Sequence, residues 1–192
     1  MIELRSLKVA ALTLVTFAGT VFAQDAAVMR ASLATASAGE PQGLYLSVAV
    51  DFDFPRNLEE ALMHGTALYF KYEFRLAKQR WYWFDKDAGS NDITLRLSYS
   101  PLTRQFRLSQ GGLSLRFDTL RDALEALKVL SNWRVLDQAG LSSASGYEAK
   151  VRFRLDTKKF PLPLQVNIGT EDWELKSEWT DIRLDSKAVK EP

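Results

Sequence analysis

One run of alternating side chains, Thr66–Phe84, constrains the fold more than any other part of the sequence. In an extended chain its apolar side would carry Phe70, Tyr72, Phe74 and Leu76. This alternation predicts the central strand of an antiparallel sheet with one buried face. At about 3.3 Å per residue the whole run would exceed the width of a domain of this size. We therefore expect a bulge or break near Ala77–Arg80, before the aromatic cluster Trp81–Phe84.

Further alternating segments predict that most of the chain is strand. Gly43–Phe54 alternates cleanly and Val28–Ala36 weakly, and the Gly/Pro-containing stretch Gly39–Gly43 joins them as a hairpin. Later strands are expected at Ile93–Tyr99, Phe106–Leu108, Leu113–Phe117, Tyr147–Leu155, Leu162–Ile168 and Trp173–Leu184. The polar stretch Asp85–Asp92 is expected to be a loop.

Two segments have helical spacing instead. Asn57 is expected to cap Leu58–Met63, which ends at His64-Gly65. Asp118 or Thr119 is expected to cap the clearer helix, Leu120–Leu130. The predicted fold class is mainly β (α+β), with sandwich-like antiparallel sheets and two short helices packed on them.

The N-terminus has the layout of an export signal. Residues 1–23 contain a basic start, the apolar run Val9–Phe17 and the small-residue ending Val21-Phe22-Ala23. The run is short for a membrane span, so we predict cleavage after Ala23 and a periplasmic chain. An uncleaved membrane anchor is the alternative. Residues 24–192 are expected to form one β-rich domain with a mobile tail from about residue 185.

Composition excludes several classes of function. The sequence contains no Cys, which excludes disulfides, thiolate metal sites and acylation on cysteine. The 25 basic and 24 acidic side chains nearly cancel, so bulk attraction to nucleic acid is not expected. His64 is the only histidine, and it suits the end of a short helix better than catalysis. Neither a nucleophile elbow nor a phosphate-binding glycine loop occurs.

Two acidic segments were considered as chemical sites. Asp85–Asp92 resembles the start of a calcium loop, but Gly89 is one position early and Arg96 stands where a bidentate Glu would be needed. A plain hairpin loop is therefore the better interpretation. Asp51 and Asp53 would lie about 7 Å apart on one strand face, which suits solvated carboxylates. The sequence predicts no catalytic residues, no metal site and no cofactor.

Basic residues dominate the outward strand positions: Lys71, Arg75, Arg96, Arg107, Arg116, Lys150, Arg152 and Arg154. One interpretation is a basic sheet face that binds an anionic ligand or headgroup. The favoured interpretation is internal pairing, because like charges on neighbouring strands are unfavourable. The outward residues Glu174 and Glu178 of the last strand are the expected partners of the Lys150–Arg154 row.

Six short motifs resemble a known family. They are Phe54-Pro55-x-x-Leu58-Glu59-x-Ala61-Leu62-x-x-Gly65, Arg80–Asp85 with Trp81 and Trp83, Leu97-x-Tyr99-x-x-Leu102-Thr103-x-x-Phe106-Arg107, Arg152-x-Arg154-Leu155-Asp156, Leu162-Pro163-Leu164-Gln165, and Trp173-x-Leu175-x-Ser177-x-Trp179. Together they resemble the exported proteobacterial domain-of-unknown-function family 4390. The resemblance implies a Gram-negative exported domain with no established activity, encoded beside a membrane sensor kinase.

The leading hypothesis is a periplasmic, non-enzymatic binding or accessory module that acts on an envelope or inner-membrane signalling protein. Its expected binding residues are Arg80, Trp81, Trp83, Lys150, Arg152 and Arg154. One alternative is a carrier of a small apolar ligand or lipid, which predicts a sandwich that opens into an apolar cavity. Another is a hydrolase, in which Asp51, Asp53 or His64 converge in one cleft.

Overall fold

A computed structural model describes residues 26–78, 86–137, 147–160 and 173–182. Four predicted features lie outside the described residues: the signal segment, the cluster Trp81–Phe84 with Arg80, the strand Leu162–Ile168 and the tail from residue 185. The described strands are β1 (Ala27–Thr35), β2 (Gly43–Asp51), β3 (Leu68–Lys78), β4 (Lys86–Ser100), β5 (Gln105–Gln110), β6 (Leu113–Phe117), β7 (Val129–Asp137), β8 (Tyr147–Leu155) and β9 (Thr180–Ile182). The described helices are α1 (Arg56–Met63) and α2 (Leu120–Lys128).

The strands form two antiparallel sheets. The smaller has the order β1-β2-β7, and the larger has the order β6-β5-β4-β3-β8-β9. Two sheets with two short helices agree with the predicted fold class, which is confirmed. The predicted hairpin is also present, since β1 pairs with β2 from Ala27 opposite Asp51 to Thr35 opposite Leu44.

Strand β3 lies inside the larger sheet, as its alternation predicts, with β4 on one side and β8 on the other. Its inward residues Phe70, Tyr72, Phe74 and Leu76 are at most 1% exposed. The pairing of β3 with β4 shifts register between Leu76 and Ala77, at the edge of the region where a bulge was expected. Lys78 is the last residue of the strand within the described range.

The core fills the space between the larger sheet, the smaller sheet and the helices. Phe153 of β8 stacks on Phe70 of β3 and on Phe52 after β2, with ring centroids 5.8 and 5.3 Å apart. The hydroxyl of Tyr72 donates a hydrogen bond of 2.7 Å to the carbonyl of Leu127, which joins α2 to the sheet. Burial raises the pKa of this hydroxyl well above its ordinary value, so it remains a donor.

Helix α1 differs from the prediction at its start. It begins at Arg56, and its N-cap is Pro55, which makes no side-chain capping bond. Proline suits a helix start because its ring sets φ near the helical value and no amide donor is lost. Asn57 therefore lies in the first turn. The C-terminal end is as expected: Gly65 has a φ of +89°, and Thr66 N–H bonds the carbonyl of Ala61 in a Schellman motif.

Helix α2 is capped as predicted but is shorter. The Thr119 hydroxyl accepts a 3.1 Å hydrogen bond from Asp122 N–H, and the helix ends at Lys128 instead of Leu130. The next residues form β7, which the sequence did not predict. An extra residue near Asn132, whose φ is +55°, separates inward Leu130 from inward Trp133, and this bulge hides the period of two.

The expected loop Asp85–Asp92 is wrong, because β4 already begins at Lys86 and pairs with β3. An extended strand directs alternate side chains to opposite faces, so it cannot wrap a cation as a calcium loop does. Gly89 serves packing in this strand. A Cβ there would lie 2.4 Å from Leu136 Cδ2, so a larger residue would displace this methyl group where β7 contacts β4.

The last predicted strand is regular only at β9. Before it, residues 173–179 still follow the edge of β8, where Leu155 N–H bonds the carbonyl of Leu175 at 2.7 Å. The ladder is interrupted because the hydroxyl of Ser177, and not a backbone carbonyl, accepts the N–H of Phe153 at 3.0 Å.

Candidate functional site

The outer face of the larger sheet carries most of the outward cations, and the arginines among them fall into two groups. The first, which we call the paired region, surrounds Glu73 at the β3–β8 contact and consists of Glu73, Arg75, Arg152, Arg154 and Trp179. The second, which we call the arginine patch, lies on β4, β5 and β6 and consists of Arg96, Arg107 and Arg116.

In the paired region one carboxylate binds two guanidinium groups. Glu73 lies directly opposite Arg152 in the β3–β8 ladder. It accepts hydrogen bonds from Arg152 Nε at 2.9 Å and from Arg154 Nε at 3.1 Å. Arg154 also lies 3.7 Å from the buried carboxylate of Asp156. Both arginines on β8 are therefore paired.

The position of Glu73 shifts its acid–base equilibrium. Burial by itself would raise its pKa, since the side chain is only 17% exposed. The hydrogen bonds and charges of Arg154 and Arg152 together outweigh burial, and the pKa of Glu73 lies below its ordinary value. The carboxylate is thus held ionised between the two arginines.

An aromatic ring completes this region. The guanidinium carbons of Arg75 and Arg152 each lie 4.6 Å from the ring centroid of Trp179. Such cation–π contacts are favourable because the ring face is electronegative. Trp179 thereby stabilises two cations on neighbouring strands.

The expected internal pairing is present, but its acidic partners differ from the prediction. Lys150 lies 3.4 Å from Asp181 and 3.6 Å from Glu148, while Arg152 and Arg154 use Glu73. Glu174, an expected partner, is 2.7 Å from Lys176 instead. A binding role for Lys150, Arg152 and Arg154 stays a prediction.

The arginine patch has a different environment. Arg107 lies directly opposite Arg116 in the β5–β6 ladder, and Arg96 lies on the same face of the adjacent strand, opposite Ser109. All three side chains belong to exposed residues. In the part of the chain that the structure describes, none of the three forms an ion pair. Three cations are therefore held together without neutralisation.

A shallow depression lies beside the patch. It has a volume of about 270 Å³, and its wall is made of arginines, hydroxyl groups and two aromatic rings. Besides the three arginines, the polar lining comes from Ser98, Ser100, Thr103 and Gln105, and the aromatic lining comes from Tyr99 and Phe106. The lining contains no carboxylate. It offers hydrogen-bond donors and positive charge to an anion.

The inner face of the same end of the sheet is also uncovered. Leu113 and Leu115 of β6 are 77% and 60% exposed. Leu115 lies opposite Leu108, which is only 6% exposed, so the core surface ends between β5 and β6. Leu102, at the β4–β5 turn, is 94% exposed.

The hydrolase hypothesis expects Asp51, Asp53 or His64 to converge in one cleft, but the structure gives these residues different neighbours. Asp51 pairs with Lys128 at 2.7 Å, and this hydrogen bond and charge lower the pKa of Asp51. Asp53 lines a second depression of about 380 Å³ beside α2, which His64 does not line. His64 Nδ1 lies 2.6 Å from the carbonyl of Glu60 at the end of α1. Within the described ranges no group of three metal-ligating side chains comes together.

The arginine patch has a signal in the sequence, and the outward positions of the strands alone do not show it. Between Ile93 and Phe117 there are four arginines and no aspartate or glutamate. A run of strands without any acidic residue has no local carboxylate to neutralise its outward cations. The strands β3 and β8, in contrast, carry Glu73 and Glu148 among their basic residues.

Comparison with protein families gives one match. The sequence model of a domain of unknown function, DUF4390, matches residues 23–183. The chain belongs to this family. The predicted family is thereby confirmed.

No curated protein and no solved structure matches the chain. Three of the motifs that suggested DUF4390 contribute to the outer face, and the one that ends at Trp179 supplies the aromatic ring of the paired region. Arg152-x-Arg154-Leu155-Asp156 belongs largely to the paired region, and the motif from Leu97 to Arg107 runs along the arginine-lined depression. Among the described residues, none of the helices combines the length and apolar content needed to cross a membrane.

Proposed function

We propose that this DUF4390 domain is an exported, non-enzymatic binding module of the periplasm, and that its arginine patch holds an anionic group of the ligand. One observation carries the proposal: Arg107 and Arg116 oppose each other, and no described carboxylate neutralises them. Like charges at directly opposed positions destabilise a sheet. A fold that keeps such a destabilising pair of charges on one surface is typical of a protein that binds a ligand at that surface.

The chemistry of the patch supports an oxyanion as the bound group. A guanidinium offers a planar fork of donors that matches a carboxylate or phosphate in two parallel hydrogen bonds. The hydroxyls of Ser98 and Thr103 add neutral donors at the wall of the depression. Its volume of about 270 Å³ suits a single charged group rather than a whole large ligand.

The partner in this proposal is an envelope or inner-membrane signalling protein, and the anionic group belongs to that protein or to the lipid around it. The family resemblance supports this partner. The paired region then serves as the rigid support of the sheet, because its arginines are already engaged by Glu73 and Trp179.

A carrier of a small apolar ligand or lipid remains the second candidate, and one observation favours it. The depression of about 380 Å³ beside α2 is lined partly by Phe52, Phe54, Leu120 and Leu124. Native mass spectrometry of the chain purified from the periplasm should then show a bound small molecule. Spectra with the bare polypeptide alone count against this function.

The anion-binding proposal is tested with two double variants of equal charge change. Arg107→Gln/Arg116→Gln removes two cations of the arginine patch. Arg56→Gln/Lys176→Gln removes two cations outside the arginine patch that have carboxylate partners. Titration calorimetry with inorganic phosphate, citrate and phosphatidylglycerol vesicles compares free phosphate, carboxylate and lipid headgroup as sources.

The first variant should weaken binding by about tenfold or more, and the second should leave it within about twofold. Binding by the parent protein should also weaken as salt is added, since the contact is electrostatic. Equal losses in both variants would indicate bulk attraction and overturn the assignment. Absence of binding to all three probes would overturn it as well.

A further inference from the structure

Strand β6 forms one edge of the larger sheet. It pairs with β5 on one side, from Phe106 opposite Phe117 to Gln110 opposite Leu113. No segment among residues 26–78, 86–137, 147–160 and 173–182 pairs with its other side. An edge strand presents a row of unpaired N–H and C=O groups, which can bond another extended chain.

The two faces of β6 differ sharply in chemistry. On the inner face Leu113 and Leu115 are more than half exposed and continue the apolar surface of Leu108. On the outer face Arg116 lies beside Arg107. A neighbouring strand would therefore find apolar contacts on one side and positive charge on the other, in strict alternation.

We propose that β6 accepts an extended segment of a partner protein as a seventh strand of this sheet, with side chains that alternate between apolar and acidic. The apolar side chains cover Leu113 and Leu115. The acidic side chains face Arg116 and, diagonally, Arg107. Main-chain hydrogen bonds supply affinity in this mode of binding, and the alternate side chains supply specificity.

Charge decides against a second copy of this chain as the occupant. Pairing of β6 with β6 of another molecule would bring two Arg116 side chains to the same outer face, and the sequence from Ile93 to Phe117 has no acidic residue to offset them. The acidic opposite edge of the sheet is partly occupied, since Ala26 N–H already bonds the Lys176 carbonyl at 3.0 Å.

Strand addition goes beyond the proposed function, because it requires an extended segment of the partner and depends on the edge and the leucines of β6. A small anion could bind in the depression without any strand addition. Conversely, a strand could add to β6 through its backbone and apolar contacts without a free anion binding measurably. The two proposals therefore fail separately.

The test uses the full exported chain and a capped peptide of about seven residues in which Val and Glu alternate. Two control peptides replace every Glu by Lys or methylate alternate backbone nitrogens. The protein variants are Leu115→Lys, on β6, and Leu102→Lys, on a leucine at the β4–β5 turn that is also exposed. Both replace exposed side chains, and thermal unfolding checks that both remain folded.

We expect the Val/Glu peptide to bind the parent protein and to slow amide exchange in β6. The affinity of Leu115→Lys for this peptide should be about tenfold lower than that of the parent protein, and the affinity of Leu102→Lys should be unchanged. The Lys peptide and the methylated peptide should each bind at least about tenfold more weakly. Equal binding of either control peptide, or full affinity of Leu115→Lys, overturns the proposal. Sedimentation showing a dimer that Leu115→Lys dissociates would also overturn it, because the occupant would then be a second copy.

Discussion

The paired region and the arginine patch are built on the same sheet face, yet their arginines have opposite roles. In both, arginines project from adjacent antiparallel strands. At the β3–β8 contact Glu73 and Trp179 satisfy them, whereas on β5 and β6 Arg107 faces Arg116 directly. An outward arginine therefore stabilises the fold where a carboxylate lies across the strand, and remains available to a ligand where none does.

The inner face shows the same contrast. Residues of β3 and β8 are covered by the smaller sheet and α2, and Phe70 and Phe153 are fully buried. The smaller sheet does not reach the far edge, so Leu113 and Leu115 on β6 stay exposed. One end of the sheet is thus core and support, and the other end is a surface with two chemically different faces.

The largest difference between the two ends should appear on truncation of an inner-face residue. Phe153→Ala removes the ring that stacks on Phe52 and Phe70 and should lower the free energy of unfolding by about 3–5 kcal/mol. Leu115→Ala should change it by less than about 0.5 kcal/mol, because the side chain is already exposed. Urea unfolding measures both, and comparable losses would show that the β6 end is part of the core.

The second largest effect on stability is expected when the central carboxylate of the paired region is removed. Glu73→Gln removes the counter-charge of Arg152 and leaves Arg154 only the more distant carboxylate of Asp156. It should lower the free energy of unfolding by about 1–2 kcal/mol, with solvent screening reducing the effect. Asp92→Asn is the control: it removes the carboxylate that pairs with Lys71, and Asp92 is more exposed than Glu73. This variant should lower the free energy of unfolding by less than about 0.5 kcal/mol. A cost for Glu73→Gln no greater than for Asp92→Asn would contradict the structural role of Glu73.

The same carboxylate should appear in the pH dependence of stability. The pKa of Glu73 is lower in the folded chain than its ordinary value of 4.5, so the unfolded chain takes up the proton first as the pH falls. Its contribution is therefore fully present above about pH 5 and is lost below, through the folded-state pKa. Unfolding of the parent protein and Glu73→Gln between pH 7 and pH 3 should show a stability difference that narrows on acidification. A difference that stays constant over this range would contradict the assignment.

The smallest effect has the opposite sign. Arg116→Glu replaces a like-charge pair by an attractive one opposite Arg107 and should raise the free energy of unfolding by about 0.5 kcal/mol, while it weakens anion binding. Arg152→Glu, at the corresponding position opposite Glu73, should instead destabilise the fold. Thermal unfolding with a parallel phosphate titration tests both, and a destabilised Arg116→Glu would mean that Arg116 has a partner in the folded chain.

Much of the fold could be predicted because its signals are local. The alternation in Phe70–Leu76 and Tyr147–Leu155, the Thr119 cap and the Gly65 helix end each depend on residues a few positions apart. The prediction failed where a local irregularity hid the pattern. The bulge near Asn132 concealed β7, and a polar stretch that pairs with β3 was taken for a loop.

The sequence by itself determined which residues face inward on the long strands, where the chain turns, and which family it belongs to. Only the tertiary structure decided that Glu73, and not the Glu174–Glu178 segment, neutralises Arg152 and Arg154. It also decided that Arg96, Arg107 and Arg116 lie together with no carboxylate from the described residues paired to them. The physical reason is that sheet order and register join residues far apart in sequence. A period of two shows the face of a strand, but it does not show which strand lies beside it.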